Sequence, residues 1–190
     1  MTLAVDPYSV EEDEWPPLWA ALLARDLPTA GQLIRSGACL DDMIEPCGST
    51  FLHRAVQAND ITIVEFFLEH GARRSLESFD EVEHTPLMWA SERGHLELVS
   101  LLLSAGANPN AHNEAKSGNT ALREAVRNGH RKVVKLLLDA GGDPTISGWM
   151  GISAVDQAYL DIEGGLDSQR AERIRHLLAN FPSSLRNRQG

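Results

Sequence analysis

The chain repeats itself with a period of about 34 residues, and no other feature constrains its fold as tightly. The segments Pro16-Pro17-Leu18-Trp19-Ala20-Ala21, Thr50-Phe51-Leu52-His53-Arg54-Ala55, Thr85-Pro86-Leu87-Met88-Trp89-Ala90, Thr120-Ala121-Leu122-Arg123-Glu124-Ala125 and Ser153-Ala154-Val155-Asp156-Gln157-Ala158 start 34, 35, 35 and 33 residues apart. In the first four, a glycine falls 21 positions after the start, at Gly37, Gly71, Gly106 and Gly141. An apolar run precedes each glycine, as in Phe66-Phe67-Leu68 or Leu101-Leu102-Leu103. A unit this short cannot bury an apolar face alone, so successive units must stack and share one core.

Each recurring position has a physical task. Thr50, Thr85, Thr120 and Ser153 suit helix N-caps, where a hydroxyl accepts from a free N–H of the first turn. Pro17 and Pro86 follow at the first helical position, where a missing N–H costs nothing. Ala21, Ala55, Ala90 and Ala125 allow close helix packing, and Gly94 and Gly129 can end the first helix of their units in a left-handed conformation. Asn108-Pro109 and Asp143-Pro144 then turn the chain after the second helix.

On these residues the chain resembles the ankyrin-repeat family, whose unit is a β-turn followed by two antiparallel helices. The third unit carries the likeness best, with Thr85-Pro86-Leu87-Met88-Trp89-Ala90, Gly94-His95-Leu96-Glu97 and Ala105-Gly106-Ala107-Asn108-Pro109-Asn110. The fourth keeps Asn128-Gly129-His130 and Val133-Val134-Lys135-Leu136-Leu137-Leu138. The resemblance implies an all-α solenoid of about ten helices in five pairs over residues 15–180, with repeats near 16–47, 48–82, 83–117, 118–150 and 151–180. Residues 1–14 then form an acidic leader and 181–190 a C-terminal tail. The first unit departs at Trp19 and Pro28, and the fifth at Asp161 to Asp167, where Gly164-Gly165 enlarges the link between helices. Both departures read as caps, because a terminal repeat has one face without a neighbour.

Composition narrows the function. With 27 Asp+Glu against 17 Lys+Arg the net charge is −10, which phosphate backbones repel, so nucleic acid is not an expected partner. Charge is also uneven: residues 1–50 carry 9 acids and 2 bases, whereas residues 111–190 carry 9 acids and 11 bases. No window approaches 18 consecutive apolar residues, and the N-terminus lacks a secretory pattern, so a cytoplasmic protein without membrane contact is expected. Cys39 and Cys47 flank one inter-repeat loop and are read as free thiols.

No motif demands catalysis. Phosphate loops, dinucleotide fingerprints and nucleophile elbows are missing, so no catalytic residue, cofactor or metal is assigned. Among the seven histidines, His53 takes the Thr-x-x-His position that the resemblance implies ties turns together, and His95 and His130 recur with the repeat. That spacing is the wrong scale for a zinc site.

The resemblance places partners on the concave face and turn tips. The exposed position of the first helices reads Ala20, Arg54, Trp89, Glu124 and Gln157. One turn later come Leu23, Gln57, Glu92, Arg127 and Leu160, then Ala24, Ala58, Arg93, Asn128 and Asp161. Trp89 is read as an aromatic anchor for a partner, with packing against the adjacent inner helix as the alternative. Arg54, Arg93, Arg123 and Arg127 approach the same groove, either to meet partner carboxylates or to pair with Glu92 and Glu124. Glu81 and Lys116 mark turn tips. Trp149, Met150 and Ile152 form an apolar tip that either folds back over the fifth repeat or extends the binding strip. Arg131, Lys132 and Lys135 make a basic outer patch read as a solvated face.

A non-catalytic module is therefore expected, monomeric on its own, that binds another protein as an adaptor or stoichiometric regulator. The alternative is an immunity or antitoxin type of inhibitor whose acidic half mimics nucleic acid and neutralises a basic enzyme. A regulatory subunit or an enzyme ranks behind both.

Overall fold

Four of the described helix pairs begin at a side chain that caps them. A computed structural model describes residues 17–39, 43–44, 48–113, 117–163 and 168–179. Helices α1 (Pro17–Leu23) and α2 (Leu27–Arg35) form the first pair, followed by a two-residue antiparallel ribbon of β1 (Met43–Ile44) and β2 (Ser49–Thr50). Next come α3 (Phe51–Gln57) with α4 (Ile61–Glu69), α5 (Pro86–Arg93) with α6 (Leu96–Ser104), and α7 (Ala121–Arg127) with α8 (Arg131–Asp139). The last pair is α9 (Ala154–Glu163) and α10 (Ser168–Ala179). The expected all-α stack of ten helices in five pairs is what the described residues form.

The caps work as their residue types require. Thr50, Thr85 and Thr120 accept from the backbone N–H of His53, Met88 and Arg123. Ser153 instead shares a reciprocal cap with Asp156, whose carboxylate accepts the Ser153 N–H at 2.9 Å. Pro28 does not break α2, because it lies in the first turn behind the Asp26 cap, where no N–H is needed.

Two layers result. The first helices α3, α5, α7 and α9 pack side by side, and α4, α6, α8 and α10 form the second layer. The first helices of the middle repeats have 7 or 8 residues and the second have 9, and the first helices lie in closer mutual contact. A stack with the shorter, tighter layer on one side curves toward that side, so the first helices line the concave face.

The shared core falls on the predicted residues. Leu87, Ala90, Val99, Leu102 and Leu122 are all buried, as are Leu18, Leu52, Ala55 and Ala125 at equivalent positions. Trp19, at the position His53 holds in the second repeat, is also buried and stacks on Phe51 with centroids 5.3 Å apart. Phe51 in turn stacks on Phe67 at 6.2 Å, so an aromatic column joins the first two repeats. Met150 was a candidate cap over the fifth repeat, and here the structure corrects the reading. It lies in the turn Trp149–Gly151 at φ 61° and is 74% exposed, so it is not folded into the fifth repeat. The Trp149 side chain, Lys116, Pro46 and Cys47 lie outside the described residues, as do 1–16 and 180–190. Cys39 is a free, exposed thiol.

Gly94 shows how neighbours lock. Its φ of 73° ends α5 in the left-handed region, and the His130 ring of the next repeat lies where a Cβ would stand, 2.5 Å away. His130 Nε2 meets the Glu92 carbonyl at 2.9 Å, sealing the C-terminus of α5. Gly106 has φ 99° with nothing near its would-be Cβ.

Two stability measurements follow from this packing. Leu102→Ala, at a fully buried position, should cost about 2–5 kcal/mol in urea unfolding; a change under about 0.5 kcal/mol would remove Leu102 from the core. Gly106→Ala should cost about 1–2 kcal/mol from backbone strain alone. Gly94→Ala should cost clearly more, since the His130 ring must also move; equal losses would show that this ring packs nothing.

Candidate functional site

Burying Leu52, Leu87 and Leu122 turns the opposite side of α3, α5 and α7 outward. Arg54 and Gln57 on α3 are half-buried, Glu92 on α5 is half-buried, and Arg93 is exposed. Glu81 is exposed at the turn before α5. Trp89 is half-buried and Arg127 exposed.

Trp89 is held from two directions. Its indole Nε1–H donates to Asp80 Oδ2 at 2.7 Å, and Asp80 Oδ1 accepts the backbone N–H groups of Val82 at 3.1 Å and His84 at 2.9 Å. Buried Asp80 therefore ties the turn tip to the concave helix. The His84 ring lies 4.9 Å from the indole on one side, and the Arg93 guanidinium is 5.2 Å from the indole centroid. The indole is half-buried, with its polar atom already used inside the protein. The ring thus keeps part of its surface exposed while its N–H is bonded within the protein.

The fourth repeat departs from expectation. Glu124 was expected on the exposed side of α7 and Arg123 at the groove, yet their exposures are 0% and 6%. Arg123 occupies the position of His53 and reaches back into the turn, where Nη1 donates to Asn119 Oδ1. Its guanidinium pKa is lowered by burial first, with Arg127 adding to the shift and Glu124 opposing it. Glu124 is covered by Arg127, whose Nη2 lies 3.0 Å from Glu124 Oε2 and 3.7 Å from Glu92 Oε1. Arg127 remains 48% exposed, and His84 Nε2 stands 3.8 Å from Glu92 Oε2. The structure therefore joins Asp80, His84, Trp89, Glu92, Arg93, Glu124 and Arg127 across three repeats.

Asp80 escaped sequence reading because it has no recurring counterpart: the residue 35 positions later is Ala115. Glu83 escaped for the opposite reason. It has φ 64° where Gly48 and Gly118 stand in adjacent repeats, and its Oε2 accepts the Ser117 N–H at 2.9 Å. The acidic side chain links two turn tips that a glycine could not join.

On the convex side an open groove of about 580 Å³ runs past Leu96, Lys132 and Lys135. Among the described residues no group of three or more His, Cys, Asp or Glu side chains could hold a metal. None of the described helices is long and apolar enough to cross a membrane.

A family model of ankyrin repeats in three copies matches residues 74–147, and a model of the single ankyrin repeat matches residues 47–77. The matches run over more than half of the 190 residues. The chain belongs to the ankyrin-repeat family. No curated protein matches it. The matched span covers the second to fourth ankyrin repeats, and the first and last helix pairs lie outside it. Ankyrin repeats generally mediate contacts between proteins. The family's histidine is used as its position implies: His53 Nδ1 accepts the Thr50 N–H at 3.1 Å, leaving Nε2–H to donate to the His84 carbonyl at 3.0 Å. Burial lowers the His53 pKa from its ordinary 6.5, although Asp80 and the backbone of His84 and Ser78 oppose the shift.

This neutral, bridging histidine makes the ankyrin stack sensitive to acid. The native state keeps His53 unprotonated while the unfolded chain binds a proton below about pH 6.5, so stability falls as pH drops through that value. His95, also lowered by burial, acts in the same direction. One such group contributes up to about 1.4 kcal/mol per pH unit. Urea midpoints at pH 7.5 and 5.5 should therefore differ less in His53→Gln than in the parent, even though the variant is less stable throughout. Parallel pH dependences would show that His53 is not the sensor.

Proposed function

We propose that this ankyrin-repeat protein is a non-catalytic interaction module that binds a partner protein through the concave strip of α3, α5 and α7 and the adjoining turn tips. One observation carries the reading: Arg54, Gln57, Trp89, Glu92, Arg93 and Arg127 line one face, backed by helices whose other side is fully buried. Rigid backing matters because ordering side chains on binding costs free energy, and a pre-set surface avoids that cost. Trp and Arg together are the residue types that most often dominate binding energy. Adaptor and stoichiometric inhibitor are the two roles this surface serves without chemistry of its own.

A partner recovered from the native cell allows the test by calorimetry. Arg93→Ala should weaken binding about thirtyfold, the loss expected at a hot spot of about 2 kcal/mol, with little change in melting temperature. Trp89→Phe keeps the ring and removes the N–H to Asp80, so it should lower the melting temperature more than the affinity. Lys132→Ala on the convex groove should do neither. Binding lost with Lys132→Ala but kept with Arg93→Ala would place the interface on the other face. Recovery of a basic nuclease would select the neutralising inhibitor over the adaptor.

A further inference from the structure

The concave strip contains a carboxylate whose needs the protein itself leaves unmet. Glu124 has no exposed surface, yet neither of its oxygens accepts a hydrogen bond. Arg127 Nη2 comes within 3.0 Å of Oε2 without hydrogen-bond geometry. Glu92 Oε2 and His84 Nε2 are likewise buried without a hydrogen-bond partner. A buried carboxylate is costly unless several donors surround it. Arg127 compensates by charge without a hydrogen bond, from a guanidinium still half in water, and the buried Arg123 guanidinium adds to that charge. Arg127 Nη2 alone stands between two carboxylates on adjacent repeats, a pair that a planar group with five N–H donors can bond more fully than one nitrogen does.

We propose that Glu92 and Glu124 form a receptor for an arginine side chain of the partner, and that Arg127 occupies it in the free protein. The inference rests on the concave-face reading above and names the chemistry recognised there. Charge complementarity selects the occupant: two carboxylates face one exposed internal cation. Arg127 can withdraw because its half-exposed head gains hydration on leaving, whereas an arriving guanidinium sealed under an interface makes its bonds away from water. Arg93, already over the indole, shows that the neighbouring ring accepts a guanidinium. At this pair Arg127 is therefore the stand-in, and the recognition groups are the two acids.

The test uses the full chain and N-acetyl-arginine amide as the probe, followed by NMR titration. Removing the internal cation with Arg127→Gln should strengthen probe binding about tenfold or more relative to the parent, since the pair no longer has an internal competitor. Shifts should centre on the Trp89 indole N–H and the Glu92 and Glu124 amides. Adding Glu124→Gln to that variant should abolish the gain, and N-acetyl-citrulline amide, of similar shape without charge, should not bind. If Arg127→Gln fails to fold, Arg127→Lys replaces it and should still bind the probe more tightly than the parent. Equal affinity for parent and variant, binding that survives Glu124→Gln, or binding of the citrulline probe would each overturn the receptor. A partner whose binding falls with Arg93→Ala while the probe ignores Arg127→Gln would remove the receptor and leave the interaction face standing. A probe that behaves as expected beside a partner insensitive to Arg93→Ala would do the reverse.

Discussion

A pair of helices with 7 to 9 residues each cannot close a core on itself, and everything else in this protein follows from that. Such helices are too short to be stable alone, so their order comes from the pair on either side. The side-chain bonds that join successive repeats span 31 to 38 residues, among them His53 to the His84 carbonyl, Asn110 to Asp143 and Gly141, and His130 to the Glu92 carbonyl. Contacts follow the same rule: each helix packs within its own pair or against the adjacent one. The concave face is the by-product, because side chains turned away from the shared core must share one side.

How much of this was legible depends on whether a residue's role repeats. The buried leucines, the alanines beside them and the capping threonines recur at one period, so aligning the units revealed both fold and core. Gly94 and Gly129 were legible in the same way. Arg25 and Asn59 were not, although they take positive φ at the corresponding step of the first two repeats, because their side chains do not announce it. Asp80 and Glu83 were invisible for a related reason: each acts once, through a contact with a residue 9 or 34 positions away.

The misjudged residues at the site are the most instructive. Alignment placed Glu124 where Arg54 and Trp89 stand, and those two do reach the surface in part. Glu124 is covered because Arg127, one turn later on the same helix, folds over it toward Glu92. A positional rule describes the backbone and says nothing about which side chain lies across which. Two acids and an arginine on neighbouring units decide that outcome between themselves, by electrostatics that no single repeat contains.

The stitching between neighbours also has a mechanical meaning. Tension applied between the two ends of the stack would load every seam in series, each carrying the same force. The seams are unequal. The one between the first two repeats combines a ring column with the Arg25–Asp60 ion pair, while the next is pinned at the turn by His53 and at the helices by packing. Under load such a molecule extends in steps, parting at its weakest seam while the remaining units stay folded. It is a spring with discrete detents rather than a body with a single breaking point.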